Sequence, residues 1–475
     1  MKIIGHYDVV VVGGGTSGVA AAIAAARTGA NTVLIERIGA LGGQFNISGP
    51  PGFAYANLFN ERYEQVAGGI IEETHNRLLR EGHALPHQNL DFRAGFSFSY
   101  VDPDWWGLLM FDMMTENDVN LLLHTLAVDV VKEGDAITGV VVESPSGRAL
   151  VMGKVIIDCT GEGQISVLAG APYEQVPRDQ LEPHTLAFTM DGVDWDKALA
   201  YIKANFETDF MIQMPQIVPW TKEQIADRIR RVKDITELGE VRGYFSLKRE
   251  ALEKGEWHES SGIGFFLIPR DGGHVQAHFQ HSSHVIGDPT DVRDLTHVEV
   301  ECRKQITMAL KFINKNLPGF ENAYLTRVCP EVRIRESRRI MGDYKLVKAD
   351  VAAARKFEDV IGKSNFSSGA KHVATGNTID FAQEVRPKDG GSTDIPYRCL
   401  VPKAVENLLV AGKAISTDRD SYQRFLMQTM VTGQAAGVAA ALCSKKGITP
   451  RELEKDVSEL QNILLKQGAI LYGTH

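Results

Sequence analysis

The chain has 475 residues, 44% of them hydrophobic, enough for two connected domains around a large buried core. Its 60 acidic and 51 basic residues leave a formal net charge of -9, which argues against a nucleic-acid partner, because phosphate binding needs a concentrated basic surface. The five cysteines (Cys159, Cys302, Cys329, Cys399 and Cys443) are scattered and contain no C-x-x-C pair, which suits reduced thiols and excludes a dithiol relay or an iron–sulfur cluster held by this chain alone.

The apolar run 9–12, behind Asp8 and ahead of a glycine cluster, predicts a parallel strand buried on both faces. A strand this close to Met1 leaves no room for a signal peptide. No apolar run approaches the roughly twenty residues that span a bilayer, so the expected location is cytoplasmic. Gly13, Gly15 and Gly18 follow in G-x-G-x-x-G spacing, then an alanine-rich helix over 19–27 and a second strand over 31–35 that delivers Glu36. The first glycine permits the tight turn, the second lets a pyrophosphate approach the backbone, and the third lets helix and strand pack closely. Phosphates would meet the free N–H groups at the positive end of the helix, and Glu36 can accept hydrogen bonds from a ribose diol. A lone glycine fingerprint is weak, but strand, glycines, helix, second strand and acid all occur in order. The stretch therefore reads as a dinucleotide site.

Residues 44–100 are irregular and rich in Gly, Pro and aromatics around one predicted helix over 69–80, with Ile70, Ile71, Leu78 and Leu79 on its buried side. A stretch of this kind usually covers a site. Asp102 or Asp104 is placed to cap a helix over 105–115. Residues 121–163 then alternate β-rich runs with turns, predicting a meander (126–154) and a buried strand over 155–158 that ends in Cys159-Thr160-Gly161-Glu162-Gly163. From 171 to 391 the pattern changes, with helical stretches at 195–205, 221–237 and 298–316 and a strand-rich patch at 263–285. Gly262-Ile263-Gly264 lacks a third glycine and a following helix, so this block reads as a substrate or cap domain without a second nucleotide site. The chain returns with a buried strand at 407–412 and an Ala/Gly-rich helix through 432–443, where Gly433 and Gly437 share one face for close packing. The organisation expected is a nucleotide-binding domain made of 1–170 and 392–445, a cap over 171–391 and a helical tail over 446–475.

Arg333, Arg335, Arg338 and Arg339 lie with Glu331 and Glu336 in the densest charged cluster outside the termini. Were it helical, Arg335 and Arg339 would share a face, and a solvated ion-paired helix would account for it. His274, His278, His281 and His284 invite a metal reading, but on a strand His274 and His278 would stand about 13 Å apart. We therefore expect no metal. Tyr397, in 394–403, could donate a proton, although an aromatic at a domain junction is more often packing.

The amino-terminal fingerprint, Leu41-Gly42-Gly43-Gln44, the CTGEG element, RIRESRRIMGDY at 333–344, DIPYRCLVPK at 394–403 and NLLVAGK…TMVTGQAAG at 407–437 together resemble the FAD-dependent oxidoreductase family related to fumarate-reductase-type flavoproteins. The resemblance implies an α/β fold, a Rossmann-like FAD-binding domain with an inserted α+β substrate domain. It places FAD against Gly13, Gly15, Thr16, Ser17, Gly18, Glu36, Arg37, Gly42, Gly43, Gln44, Val128, Thr160, Gly161, Gly412, Met430, Gly433 and Gln434, with residues 44–100 wrapping the flavin. The start of the Gly433 helix would stabilise negative charge near N1 and O2 of the ring. Arg335 and Arg338 become clamps for a substrate carboxylate or supports for the flavin, since a planar guanidinium binds carboxylates bidentately. His281 and His284 stand where related sequences more often carry Asn and Arg, and with Tyr397 they complete the catalytic candidates. If one is a base, an ionisation near neutrality should disappear on His281→Ala or His284→Ala.

The implied activity is hydride transfer between flavin and a small polar or carboxylated substrate. The electron acceptor or donor stays open among oxygen, a quinone, free NAD(P)H and a separate protein, and a homo-oligomer is compatible with the sequence. Two other readings stand beside it: a flavoprotein whose FAD serves hydration or isomerisation, and an electron-transfer or scaffold subunit with no substrate of its own.

Overall fold

Four consecutive valines, Val9 to Val12, are all buried because both faces of their strand are covered. In the computed structural model, which describes residues 1–474 apart from 50–54, 61, 90–96, 211–220, 239, 374–378 and 381, they end the strand Lys2–Val12. This strand lies between Thr32–Ile35 and Gly147–Asp158, parallel to both, and Asn120–Leu122 extends the sheet beyond Thr32–Ile35. Gly147–Asp158 serves two purposes that the sequence suggested were separate. Its first half pairs antiparallel with Ala136–Ser144, which pairs with Leu126–Glu133. Its last residues pair in parallel with Leu408–Val410, bringing the late part of the chain back into the first sheet.

Thr16–Arg27 packs on this sheet and against the 21-residue helix Leu426–Lys446. A Cβ at Gly433 would overlap the Ser17 carbonyl oxygen, and one at Gly437 the Ala21 carbonyl oxygen, so the two helices touch backbone to backbone. By length and composition alone Leu426–Lys446 could cross a membrane, contrary to the expectation that no segment comes near that length. Its apolar window is 100% buried inside the protein.

The inserted part is a five-stranded antiparallel sheet in the order Val241–Arg242, Gly264–Pro269, Val275–Phe279, Phe188–Asp191, Tyr324–Val328. Phe188, Phe265, Phe279 and Phe320 interlock at its centre, with Phe188 and Phe279 stacked at 5.0 Å. The helix Val292–Asn316 lies alongside, starting six residues before the expected 298 because Asp291 caps it. The apolar core of this part draws on residues from Phe98 to Val332, whereas Ile340, Leu346, Ile361 and Tyr397 belong to the first core. The chain thus re-enters the first core near 340, earlier than the expected 392, and pairs Arg339–Ile340 with Tyr173–Glu174 at the crossing.

The remaining helices vary in how they begin and end: Thr16–Arg27 and Ile70–Glu81 start from glycines without a side-chain cap, Trp195–Asp209 runs past the expected 205, and the expected 221–237 divides into Lys222–Arg231 and a short turn at Ile235–Glu237. Asp102 caps Pro103–Glu116 through the Asp104 and Trp105 N–H groups, and Ile70–Glu81 buries Ile70, Ile71 and Leu78, with Leu79 half-buried. Of the expected wrapping stretch 44–100, residues 50–54, 61 and 90–96 lie outside the described residues.

Candidate functional site

A cavity of about 360 Å³ lies between the glycine turn and the inserted sheet. One end is built almost entirely from backbone. Gly13 has φ 102°, and a Cβ there would stand 2.5 Å from the Cys159 carbonyl oxygen, so only glycine fits between the two strand ends. The Gly42 N–H donates to the Gly14 carbonyl at 2.8 Å, which lays residues 42–43 on the turn. Glu36 ends the second strand and takes the Gly14 N–H on Oε2 at 2.7 Å and the Ile38 N–H on Oε1 at 3.0 Å. Burial pushes its pKa up, while these N–H groups oppose the shift. Gly13, Gly15, Thr16, Ser17, Glu36, Arg37, Gly43, Gln44, Thr160 and Gly161 all line the cavity. Arg37 is held by Glu331.

The other end is built from charged side chains. Residues 329–338 are not helical; they run extended past the cavity, so Arg333 and Arg335, two positions apart, reach it together. Arg333 donates to Gln280 Oε1 at 3.1 Å and to the Gly49 carbonyl. Arg335 donates to Thr185 Oγ1 at 3.2 Å and to His372 Nε2 at 3.0 Å. Among the described residues neither guanidinium has a carboxylate within salt-bridge distance, although both are buried. Burial, helped by nearby Arg424, pushes the Arg333 guanidinium down to about 10 and that of Arg335 well below its ordinary value. The neighbouring cations are compensated: Lys413 by Glu162, Arg419 by Glu336 and Arg424 by Glu182.

Several expected site residues take other places. His281 and His284 stand behind the cavity wall. His281 Nε2 accepts from Arg242 Nη2 at 2.7 Å, and His284 Nδ1 donates to the Ser260 carbonyl at 2.9 Å. Burial, followed by the Arg242 charge, drives the His281 pKa down to about 3, and burial likewise drives that of His284 well below 6.5. Neither supplies an ionisation near neutrality. Arg338 turns away to Gln164 Oε1 at 3.1 Å and to the Tyr173 ring. Tyr397 is a core residue whose hydroxyl donates to the Pro450 carbonyl at 3.0 Å.

On the cofactor side, Leu426–Lys446 begins six residues before the expected 432. Phe425, Leu426 and Thr429 therefore meet the cavity, while Met430 and Gly433 pack in the core and Gln434 accepts the Ile70 N–H at 3.1 Å. Gly412 lies against Ser17 behind the lining, and a Cβ at Gly42 would strike the Trp106 ring. Gly18 keeps its expected packing place, since a Cβ there would overlap the Gly13 carbonyl oxygen. Val128 sits at a register shift in Leu126–Glu133, half-buried and away from the lining.

Sequence reasoning passed over Glu182, Arg242, His372, Lys413 and Arg424, all of which line the cavity. Lys413 directly follows the recognised Val-Ala-Gly strand end, and Arg424 immediately precedes the cofactor-side helix, so adjacency to a known motif was their signal. Glu182, Arg242 and His372 stand in unremarkable surroundings and carried none.

A cavity floored by a glycine turn and roofed by an inserted sheet belongs to the two-part dinucleotide-dependent enzymes. The FAD dependent oxidoreductase family matches residues 8–464, and the chain belongs to that family. It is an enzyme that uses FAD. The glycine turn suits that cofactor: a Cβ at Gly15 would meet only the Gly43 Cα, at 4.0 Å, and would otherwise project into the cavity, so the bare backbone there leaves room for a diphosphate to approach.

Solved structures of low similarity span nearly the same length. A geranylgeranyl bacteriochlorophyll reductase-like protein from Thermoplasma acidophilum is 13% identical, covering 97% of this chain and 86% of that one with a TM-score of 0.45. The flavin-dependent brominase Bmp2 is 14% identical, covering 96% and 84% with a TM-score of 0.46. The p-nitrophenol 4-monooxygenase PnpA from Pseudomonas putida is 11% identical, covering 98% and 87% with a TM-score of 0.44. A search of curated proteins gives no match.

Proposed function

We propose that this FAD-dependent enzyme transfers a hydride between flavin and a small carboxylated substrate whose carboxylate is held by Arg333 and Arg335. The observation that carries this reading is a pair of buried guanidiniums lining one cavity, neither with a carboxylate within salt-bridge distance among the described residues. A buried cation with no directly paired carboxylate is unfavourable, Glu182 reaches Arg335 only through the His372 ring, and arginine stays protonated near neutrality. An anionic substrate supplies the missing charge and gains binding energy in return. A scaffold subunit with no substrate would have no use for such a pair.

FAD, when bound along residues 13–17, 36 and 43–44, supplies the two-electron chemistry. The chain's own groups bind and orient the substrate. Arg335 is held by Thr185 and His372, and Arg333 by Gln280, so both guanidiniums stand at the cavity before substrate arrives. Phe425 and Leu426 give the helix side of the cavity an apolar lining.

Anaerobic addition of hydroxy acids, amino acids, enoates, amines and sugars, followed by flavin absorbance, tests the reading. Bleaching by a carboxylated compound is the expected result. Bleaching by neutral sugars or simple amines, with no response to any acid, contradicts it.

A further inference from the structure

His372 lines the cavity between a carboxylate and two guanidiniums. Its backbone N–H and its Nδ1–H both donate to Glu182 Oε2, at 2.9 and 3.0 Å, and Arg424 Nη2 donates to the same oxygen at 3.1 Å. Its other nitrogen, Nε2, faces Arg335 Nη1 at 3.0 Å. A guanidinium can only donate and a carboxylate only accept, so the Arg335 contact puts the lone pair on Nε2 and the Glu182 contact puts the one ring proton on Nδ1, while Arg424 Nη2, also 3.2 Å from Nδ1, directs its hydrogen to Glu182 instead; the ring is neutral. On its far side the ring stacks on His281 at 5.7 Å and 9°, and behind His281 stand Arg242 and Glu240.

We infer that His372 is the proton site of the cavity: an anion bound against Arg333 and Arg335 enters together with one proton, which settles on His372 Nε2. This rests on the carboxylate-binding reading. Two changes on binding drive it. The anion offsets the charges of Arg335 and Arg424, which, after burial itself, hold the empty imidazole neutral. It also draws the Arg335 donors toward itself, freeing the Nε2 lone pair for a proton from solvent. The imidazolium is then bracketed by Glu182 on Nδ1 and by the anion on Nε2, so each N–H meets a negative acceptor.

The other histidines nearby cannot take this part. His281 Nε2 is occupied by Arg242, and His184 Nε2 donates to the Gly287 carbonyl at 2.8 Å; neither lines the cavity. The proton therefore sits where hydride transfer needs a group that can give or take one.

Calorimetric titration of the FAD-loaded protein with malonate near pH 6, in two buffers of different ionisation enthalpy, tests the proposal. Uptake of about one proton per malonate is expected at pH values between the low pKa of the empty site and the raised pKa of the bound one, together with up to a tenfold gain in malonate affinity per unit fall in pH across that window. His372→Gln should abolish the uptake while still binding malonate. Binding with no proton uptake, or with uptake unchanged in His372→Gln, overturns the proposal and leaves the carboxylate reading intact. Absence of any malonate binding overturns both. Should His372→Gln not fold, carbon-13 histidine NMR of the wild-type protein decides the matter: one imidazole must pass from the Nδ1–H tautomer to imidazolium on adding malonate, and no change refutes the assignment.

Discussion

The two ends of the cavity are made from different materials. The cofactor end is backbone: Gly13 at φ 102°, Gly15 facing Gly43, and N–H groups turned to Glu36. The opposite end, where we propose that substrate binds, is side chain: Arg333 and Arg335 with no ion-paired carboxylate among the described residues, and His372 set between Glu182 and Arg335. Backbone geometry leaves little freedom, because one misplaced Cβ collides with a carbonyl. A wall of side chains can be respecified without altering the fold, so in the proposed reading the first end holds the cofactor and the second selects the substrate.

The comparison breaks most visibly at the helix contact that supports the cofactor end. Gly433→Val should lower stability by about 3 kcal/mol or more and strip FAD from the purified protein, because its side chain must displace the Ser17 carbonyl. Denaturant unfolding and flavin absorbance measure both effects. At the other end Arg335→Met should behave in the opposite way. We expect kcat/KM to fall about 100-fold, with FAD content retained and the thermal midpoint equal to or above wild type, since a buried charge lacking a carboxylate is removed. Joint loss of activity, FAD and stability would show Arg335 to be structural.

Smaller effects sharpen the boundary behind the wall. The His281 pKa, pushed down to about 3 from 6.5, means that the unfolded chain takes up the proton first as pH falls. Stability should therefore decline from about pH 6.5 toward pH 3. The pKa values of His184, His278, His284 and His372 are likewise lowered by burial, so His281→Asn, which cannot titrate, should remove only its own share of that decline in thermal melts, without introducing or removing an ionisation near neutrality in the pH–rate profile. The least effect belongs to Tyr397→Phe: loss of the hydrogen bond to Pro450 should cost about 1 kcal/mol of stability and leave kcat unchanged.

The same contrast explains what the sequence made legible. The turn, Glu36, the Asp102 cap and the returning strand follow from local spacing, so the α/β fold and the cofactor could be read directly. Gly433 is expected from the sequence both to pack against the neighbouring helix and to meet FAD; it does the first, but the helix starts at Leu426, and Met430, Gly433 and Gln434 all lie off the cavity lining. The charged run at 333–339 looked equally suited to a helix, and only tertiary pairing at Thr185 and Arg339–Ile340 holds it extended. Glu182, His372 and Arg424 meet across more than two hundred positions, a proximity no short-range pattern carries. His281 and His284 were placed in the right part of the fold, one layer too far forward.

Flavin reduction by a matched pair of compounds tests the central claim most directly: a carboxylated substrate that bleaches the wild-type protein anaerobically, against its primary amide. The account predicts that the amide is slower by about 100-fold or more, as expected when a buried charge pair is lost, and that Arg335→Met removes most of that difference. Equal rates for acid and amide in the wild-type protein would contradict it.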